Sequence, residues 1–117
     1  DVRWMIEDAL KYVQREVKRG RQYDGIILDP PAYGRGPEGE KWVLEDHLPA
    51  LMAACAHLLH PGNGFVVLNL YSMGFSSIIA QNILRTCFPG QSGMEYGELV
   101  VPSQTGNSLP LSVFARF

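Results

Sequence analysis

Five consecutive residues, Asp29-Pro30-Pro31-Ala32-Tyr33, concentrate the chemistry of this chain. An ionised carboxylate only accepts hydrogen bonds, and a tyrosine offers a flat apolar face with a polar tip. The two prolines between them have no backbone N–H and cannot continue a sheet ladder. Asp29 and Pro30 each precede a proline, which pushes both away from the helical region into a stiff, extended path. A carboxylate, several free carbonyls and an aromatic ring are therefore presented together. Such a loop suits an active site, and these residues alone leave its chemistry open. The competing reading is a plain turn, since Asp before proline is a common turn former.

These residues need a strand to hold them. Tyr23-Asp24-Gly25-Ile26-Ile27-Leu28 is an apolar run after a small-residue turn, and it predicts a buried strand that the prolines end. In open α/β sheets ligands bind outside the carboxyl ends of strands, so the loop is expected to be an active site. Upstream, Val2-Arg3-Trp4-Met5-Ile6 is compatible with a short strand. A helix follows Glu7-Asp8, with Leu10, Val13 and Val17 on one face and Gly20 as its stop. Leu48, Leu51, Met52, Cys55, Leu58 and Leu59 recur at helical spacing, and His60-Pro61-Gly62-Asn63-Gly64 breaks that helix. Phe65-Val66-Val67-Leu68-Asn69-Leu70 is a second buried strand, and Phe75, Ile78, Ile79, Asn82 and Ile83 predict a third helix. Glu98–Val101 and Leu111–Ala115 read as strands, with Pro102 to Pro110 as a hairpin loop. The alternation predicts a three-layer α/β/α sandwich with a mostly parallel sheet and a C-terminal antiparallel hairpin.

Composition narrows the function. A chain of 117 residues with 46% apolar content supports one domain with a real core. A net charge of −2 leaves no basic excess for a strong free-standing nucleic-acid binder. The Lys18-Arg19-Gly20-Arg21 cluster is read as a solvated helix end. Cys55 and Cys87 sit inside apolar helical patterns, the usage of buried thiols in a reducing, cytoplasmic setting. No stretch is long and apolar enough to span a membrane, and His47, His57 and His60 lack metal-ligand spacing. Gly34-Arg35-Gly36-Pro37-Glu38-Gly39 matches a dinucleotide fingerprint in letters only. Two prolines separate it from the strand and Pro37 interrupts it, so a flexible loop flanking the site is expected.

Asp29-Pro30-Pro31-Ala32-Tyr33 resembles motif IV of class I S-adenosylmethionine-dependent methyltransferases. Arg3-Trp4-Met5-Ile6-Glu7-Asp8-Ala9, the run Tyr23 to Pro31 and the stretch Gly34 to Pro37 together resemble the ribosomal-RNA-methyltransferase-like branch. The resemblance covers essentially the whole chain. It implies a Rossmann-like methyltransferase fold and S-adenosyl-L-methionine as cofactor, with an RNA substrate. The family's glycine-rich donor loop, and the acid that holds the donor's ribose, would both precede Asp1. The chain is therefore expected to be the carboxyl-terminal part of a catalytic domain, from the third strand onward, with RNA held through the missing part. Without its first two strands, the Trp4 strand loses its partner and an edge of the Ile27 strand is bared.

The resemblance also implies residue roles. Asp8 matches the acid that accepts from the adenine amino group, and it also suits a helix N-cap; both can hold together. Ala9 would contact adenine through its backbone and small side chain. Asp29 and the Pro30 carbonyl would hold the target nitrogen, with Pro31 stiffening the turn and Asp29 bordering the donor. Tyr33 would stack on the target base, although Ala32 is interposed relative to the tighter motif of many amino methyltransferases. Trp42 is read as an anchor of the following helix. Relatives that methylate cytosine carbon 5 carry a cysteine near the end of the fifth strand, where this chain has Asn69-Leu70-Tyr71-Ser72, so covalent chemistry of that kind is not expected. The rival reading is a noncatalytic α/β module that keeps the motif without a complete donor site.

Overall fold

The apolar runs on either side of Asp24 and Gly64 become neighbouring strands in the computed structural model, which describes residues 1–36, 38–71 and 74–117. Pro37 and Ser72, both named above, lie outside the described residues. Strand β1 (Gly25–Leu28) pairs in parallel with a longer strand, Phe65–Leu70. Between them lie a small hairpin, β2 (Tyr33–Arg35) with β3 (Lys41–Val43), and helix α2 (Leu44–Ala56); the Phe65 strand is therefore β4. Helix α1 (Ala9–Lys18) precedes β1, helix α3 (Ser77–Cys87) follows β4, and β5 (Glu95–Pro102) and β6 (Ser108–Arg116) close the chain. The main sheet runs β1-β4-β6-β5. No helix of the described residues is long and apolar enough to cross a membrane.

Helix ends follow local chemistry. Asp8 caps α1 by accepting from the Lys11 amide at 2.8 Å, which satisfies one of the orphan N–H groups of the first turn. Gly20, at φ +64°, ends it in the left-handed region that costs glycine nothing. The core forms where β4 alternates: Val66, Leu68 and Leu70 are fully buried, while Val67 and Asn69 are only half-buried. Leu44, Leu48, Leu51, Met52 and Cys55 of α2, Ala80 and Leu84 of α3, and Ala115 of β6 meet that buried face. Each fully buried leucine contributes roughly 1.5–3 kcal/mol.

Three expectations change. The helices touch one another in the order α1, α2, α3 and form a single layer on the Val66–Leu68–Leu70 face. The other face carries Ile27, 72% exposed, and Phe65, 46% exposed, so the described residues make two layers instead of three. The sheet is mixed and not mostly parallel. It has one parallel pair, β1–β4, because β6 enters antiparallel between β4 and β5. Finally, residues 2–6 form no strand. Trp4 is 87% exposed, and among the described residues no backbone takes up the segment's ladder groups. A strand is a paired structure, and the apolar letters alone do not supply the pair.

Smaller differences concern loops. Of the Gly34–Gly39 stretch, Gly34 and Arg35 belong to β2 and pair with Trp42 and Lys41 of β3, where a loop was expected. The C-terminal hairpin is present, but its strands run further than expected and leave only residues 103–107 as the turn.

Candidate active site

The Asp-Pro-Pro turn stands at the carboxyl end of β1, beside the beginning of α1. A pocket of about 370 Å³ lies between them, lined by Asp8 and Ala9 on one side and by Asp29, Pro30 and Pro31 on the other. Five residues selected from sequence are thus brought together. Tyr33 is not in the lining; it sits on β2, paired with Val43 and 57% exposed beside the pocket. Pro30 is buried and anchors the turn, while Asp29 is exposed at the rim.

The turn is braced from β3. The Trp42 indole N–H donates to the Pro31 carbonyl at 2.7 Å, and its ring stacks on His47 with centroids 5.4 Å apart. The Leu44 amide donates to the Ala32 carbonyl at 3.0 Å. Trp42 anchors as expected, and it also walls the pocket. Sequence reasoning weighed a place on the substrate side for Trp42 and favoured the helix anchor, because nothing local foretold that β3 folds back on the prolines.

Asn69 is the residue that sequence reasoning passed over. Its amide donates to Asp29 Oδ1 at 2.6 Å, across the parallel pair. A usable signal existed: it is the one polar letter in the apolar run Phe65–Leu70, near the same end of the sheet as Asp29.

Charge at the α1 side is heavily paired. Glu7, in the pocket lining, is gripped by the Arg15 guanidinium, which holds its carboxyl below the usual carboxylate range. Lys11 reaches Glu38 at 2.8 Å and Glu40 at 2.5 Å, clipping α1 to the turn of the small hairpin. The Lys11 ammonium, helped by the Glu40 and Glu38 backbone amides, pulls the Glu40 carboxyl down to about 2. The Lys11 ammonium is in turn raised by Glu38 and then Glu40. A depressed carboxylate favours the fold above its unfolded value of about 4.3 and loses that contribution as pH falls. The raised ammonium contributes below about 10.4 and loses its share as pH rises further. The clip therefore holds between these limits. Carbon-detected NMR is expected to place the Glu40 titration near 2, and Lys11→Met should move it up toward the ordinary carboxylate range, with the backbone amides holding it part of the way down. An unmoved midpoint would remove Lys11 as the cause.

Neither thiol is placed for nucleophilic work. Cys55 is buried in α2, and burial pushes its thiol up to about 11. Cys87 is half-buried and also raised by burial. Neither lines the pocket.

The mixed sheet and its three helices form the α/β fold of S-adenosylmethionine-dependent methyltransferases. Over 98% of its length the chain matches a SAM-dependent methyltransferase from Agrobacterium tumefaciens, with 39% identity and a TM-score of 0.88, and it spans 39% of that protein. It also matches SMU.776, a candidate methyltransferase solved with SAH, at 20% identity and a TM-score of 0.67, over 93% of this chain and 30% of that one. The M1.HpyAVI–SAM complex matches at 21% identity and a TM-score of 0.53, over 95% of this chain and 50% of that one. These last two speak for the fold alone. No protein-family model matches the chain, and no curated protein does.

Proposed function

We propose that this chain is the target-side part of a class I S-adenosylmethionine-dependent methyltransferase catalytic domain, acting on a base nitrogen of RNA, ribosomal RNA in particular. The observation that carries the reading is the convergence of Asp8, Ala9, Asp29, Pro30 and Pro31 on one pocket at the carboxyl end of β1. The 39%-identical methyltransferase from Agrobacterium tumefaciens supports an enzyme over a noncatalytic module.

The pocket suits the adenine end of the donor. Ala9 and Pro30 give it narrow apolar walls, and Asp8 keeps one carboxylate oxygen beyond the one that caps α1. When bound, the donor supplies an electrophilic methyl group. The protein's work is then positional. Asp29 and the Pro30 carbonyl accept from the target N–H and aim the nitrogen lone pair, and Asp29 steadies the positive charge that grows on that nitrogen. Trp42 holds the Pro31 carbonyl and keeps the turn from relaxing. The exposed ring of Tyr33 is a platform beside the pocket for an unpaired or flipped base.

Tyr33 gives the test of substrate class. In the complete catalytic domain, Tyr33→Ala should weaken use of an unmodified ribosomal RNA transcript by roughly 1–3 kcal/mol, the worth of a base–aromatic stack. Tyr33→Phe should be mild, because the ring face does the gripping. Melting temperature and donor affinity should stay near wild type, since the side chain is more than half exposed and outside the pocket. A loss of stability without a selective loss of RNA methylation would sink the stacking role.

A further inference from the structure

Three adjacent strands carry side chains joined by hydrogen bonds: Asp29 just after β1, Asn69 near the end of β4 and Ser112 within β6. Asn69 Nδ2 donates to Asp29 Oδ1 at 2.6 Å, and Ser112 Oγ donates to Asn69 Oδ1 at 2.5 Å. Register explains the alignment. Leu28 pairs with Leu68, so the next residues, Asp29 and Asn69, stand level on the face opposite the core. Asn69 pairs with Phe114, and Ser112 lies two residues away on the same face of β6.

The direction of these bonds is set by chemistry. A carboxylate cannot donate, so the Asn69 NH₂ must face Asp29. The Asn69 carbonyl oxygen then faces Ser112, whose hydroxyl must donate. Reversing the amide would place two acceptors 2.6 Å apart. Without Ser112, the Asn69 carbonyl would lose its donor, and the amide would keep only one of the two bonds that hold its plane. Asp29 itself is at the rim of the pocket, exposed, with a rotatable carboxylate that solvent alone would not orient.

We propose that Asn69, held by Ser112, is the positioning residue for Asp29. The relay occupies one carboxylate oxygen and leaves the other as a bare acceptor for the substrate, so that the acceptor arrives already aimed. This rests on the methyl-transfer reading above, and it adds two residues that reach the substrate only through Asp29.

Two measurements test it, one of them independent of catalysis. In the ¹⁵N-labelled 117-residue chain, the Asn69 side-chain protons should exchange with water more slowly than those of exposed Asn107. Ser112→Ala should bring the Asn69 amide to the Asn107 rate, while Ser112→Thr, which keeps the hydroxyl, should not. In the complete catalytic domain, transfer of tritiated methyl from S-adenosylmethionine to an unmodified ribosomal RNA transcript is followed. Asn69→Ala should lower kcat by roughly 10–100-fold, the worth of a hydrogen bond to a charged group, and Ser112→Ala, which removes a neutral bond, by roughly 2–10-fold, with donor KM little changed in both. Ser112→Thr should restore most of the rate. The relay is wrong if the wild-type Asn69 amide exchanges as freely as Asn107, or if both alanine variants keep kcat. It is also wrong if the threonine variant fails along with alanine while folding normally. Failure of the wild-type domain to methylate RNA would overturn the functional reading instead, and the exchange measurement would still decide the relay.

Discussion

Asp29→Ala is expected to reduce methyl transfer by the complete domain by roughly 10²–10⁴-fold, the range for a lost proton acceptor or charge stabiliser. Donor affinity should change far less. The reason lies in where the carboxylate sits: on the rim of the pocket, exposed, after β1 and bonded to Asn69. Its interaction with the target nitrogen strengthens only as charge develops there, so its removal lowers the rate more than it weakens binding. Asp29→Asn is the sharper control. It keeps the shape of the turn but removes the charge. Its oxygen would be taken by Asn69, so its N–H groups would face a target that needs an acceptor. Both variants should melt near wild type, because an exposed rim residue away from the core shifts stability by only about 0.5 kcal/mol. Steady-state kinetics, donor calorimetry and a thermal melt on the two variants make the test. Near-normal turnover in either would reduce Asp29 to a turn former.

What the sequence made legible was what local chemistry decides. The apolar runs of β1 and β4 are bounded by Gly, Pro and Asn, and short apolar runs between such breakers read as strands, although β1 lies at the sheet edge with no fully buried residue. The Asp8 cap, the Gly20 stop and the Asp-Pro-Pro turn are each set by the residue's own conformational preferences. The misreadings share a cause, since each depended on a partner distant in sequence. Val2–Ile6 has strand composition, yet Ile6 is fully exposed and none of the described residues pairs with the segment. The second helical layer was inferred from alternation of elements, but alternation does not say on which face each helix lands. Tyr33–Arg35 and Lys41–Val43 are three residues each, too short for a period to show, and only their pairing reveals them. Asn69 and Ser112 are 43 residues apart, and their bond exists only because β6 inserts beside β4.

The two-layer arrangement has its own large consequence. Leu68→Ala in this 117-residue chain is expected to cost about 2–5 kcal/mol, whereas Ile27→Ala should cost less than about 1 kcal/mol. The two residues are on adjacent, hydrogen-bonded strands, and both are large aliphatics in apolar runs. Sequence patterning would treat them alike. The structure does not: Leu68 has no exposed surface and packs among the residues of α2 and α3, while Ile27 points away from them and is 72% exposed. Truncating Leu68 opens a cavity that the surrounding side chains of two helices cannot fully close. Truncating Ile27 removes surface that water already reaches, so little burial is lost. Urea unfolding followed by circular dichroism measures both, with the midpoint carrying the difference and the slope reporting any change in exposed area. Equal losses for the two variants would mean that the Ile27 face is covered and that the sheet has helices on both sides. A loss confined to Leu68→Ala would fix the core on one side. It would leave the open face, which carries Asn69 and Asp29, free of any packing duty that competes with their role at the site.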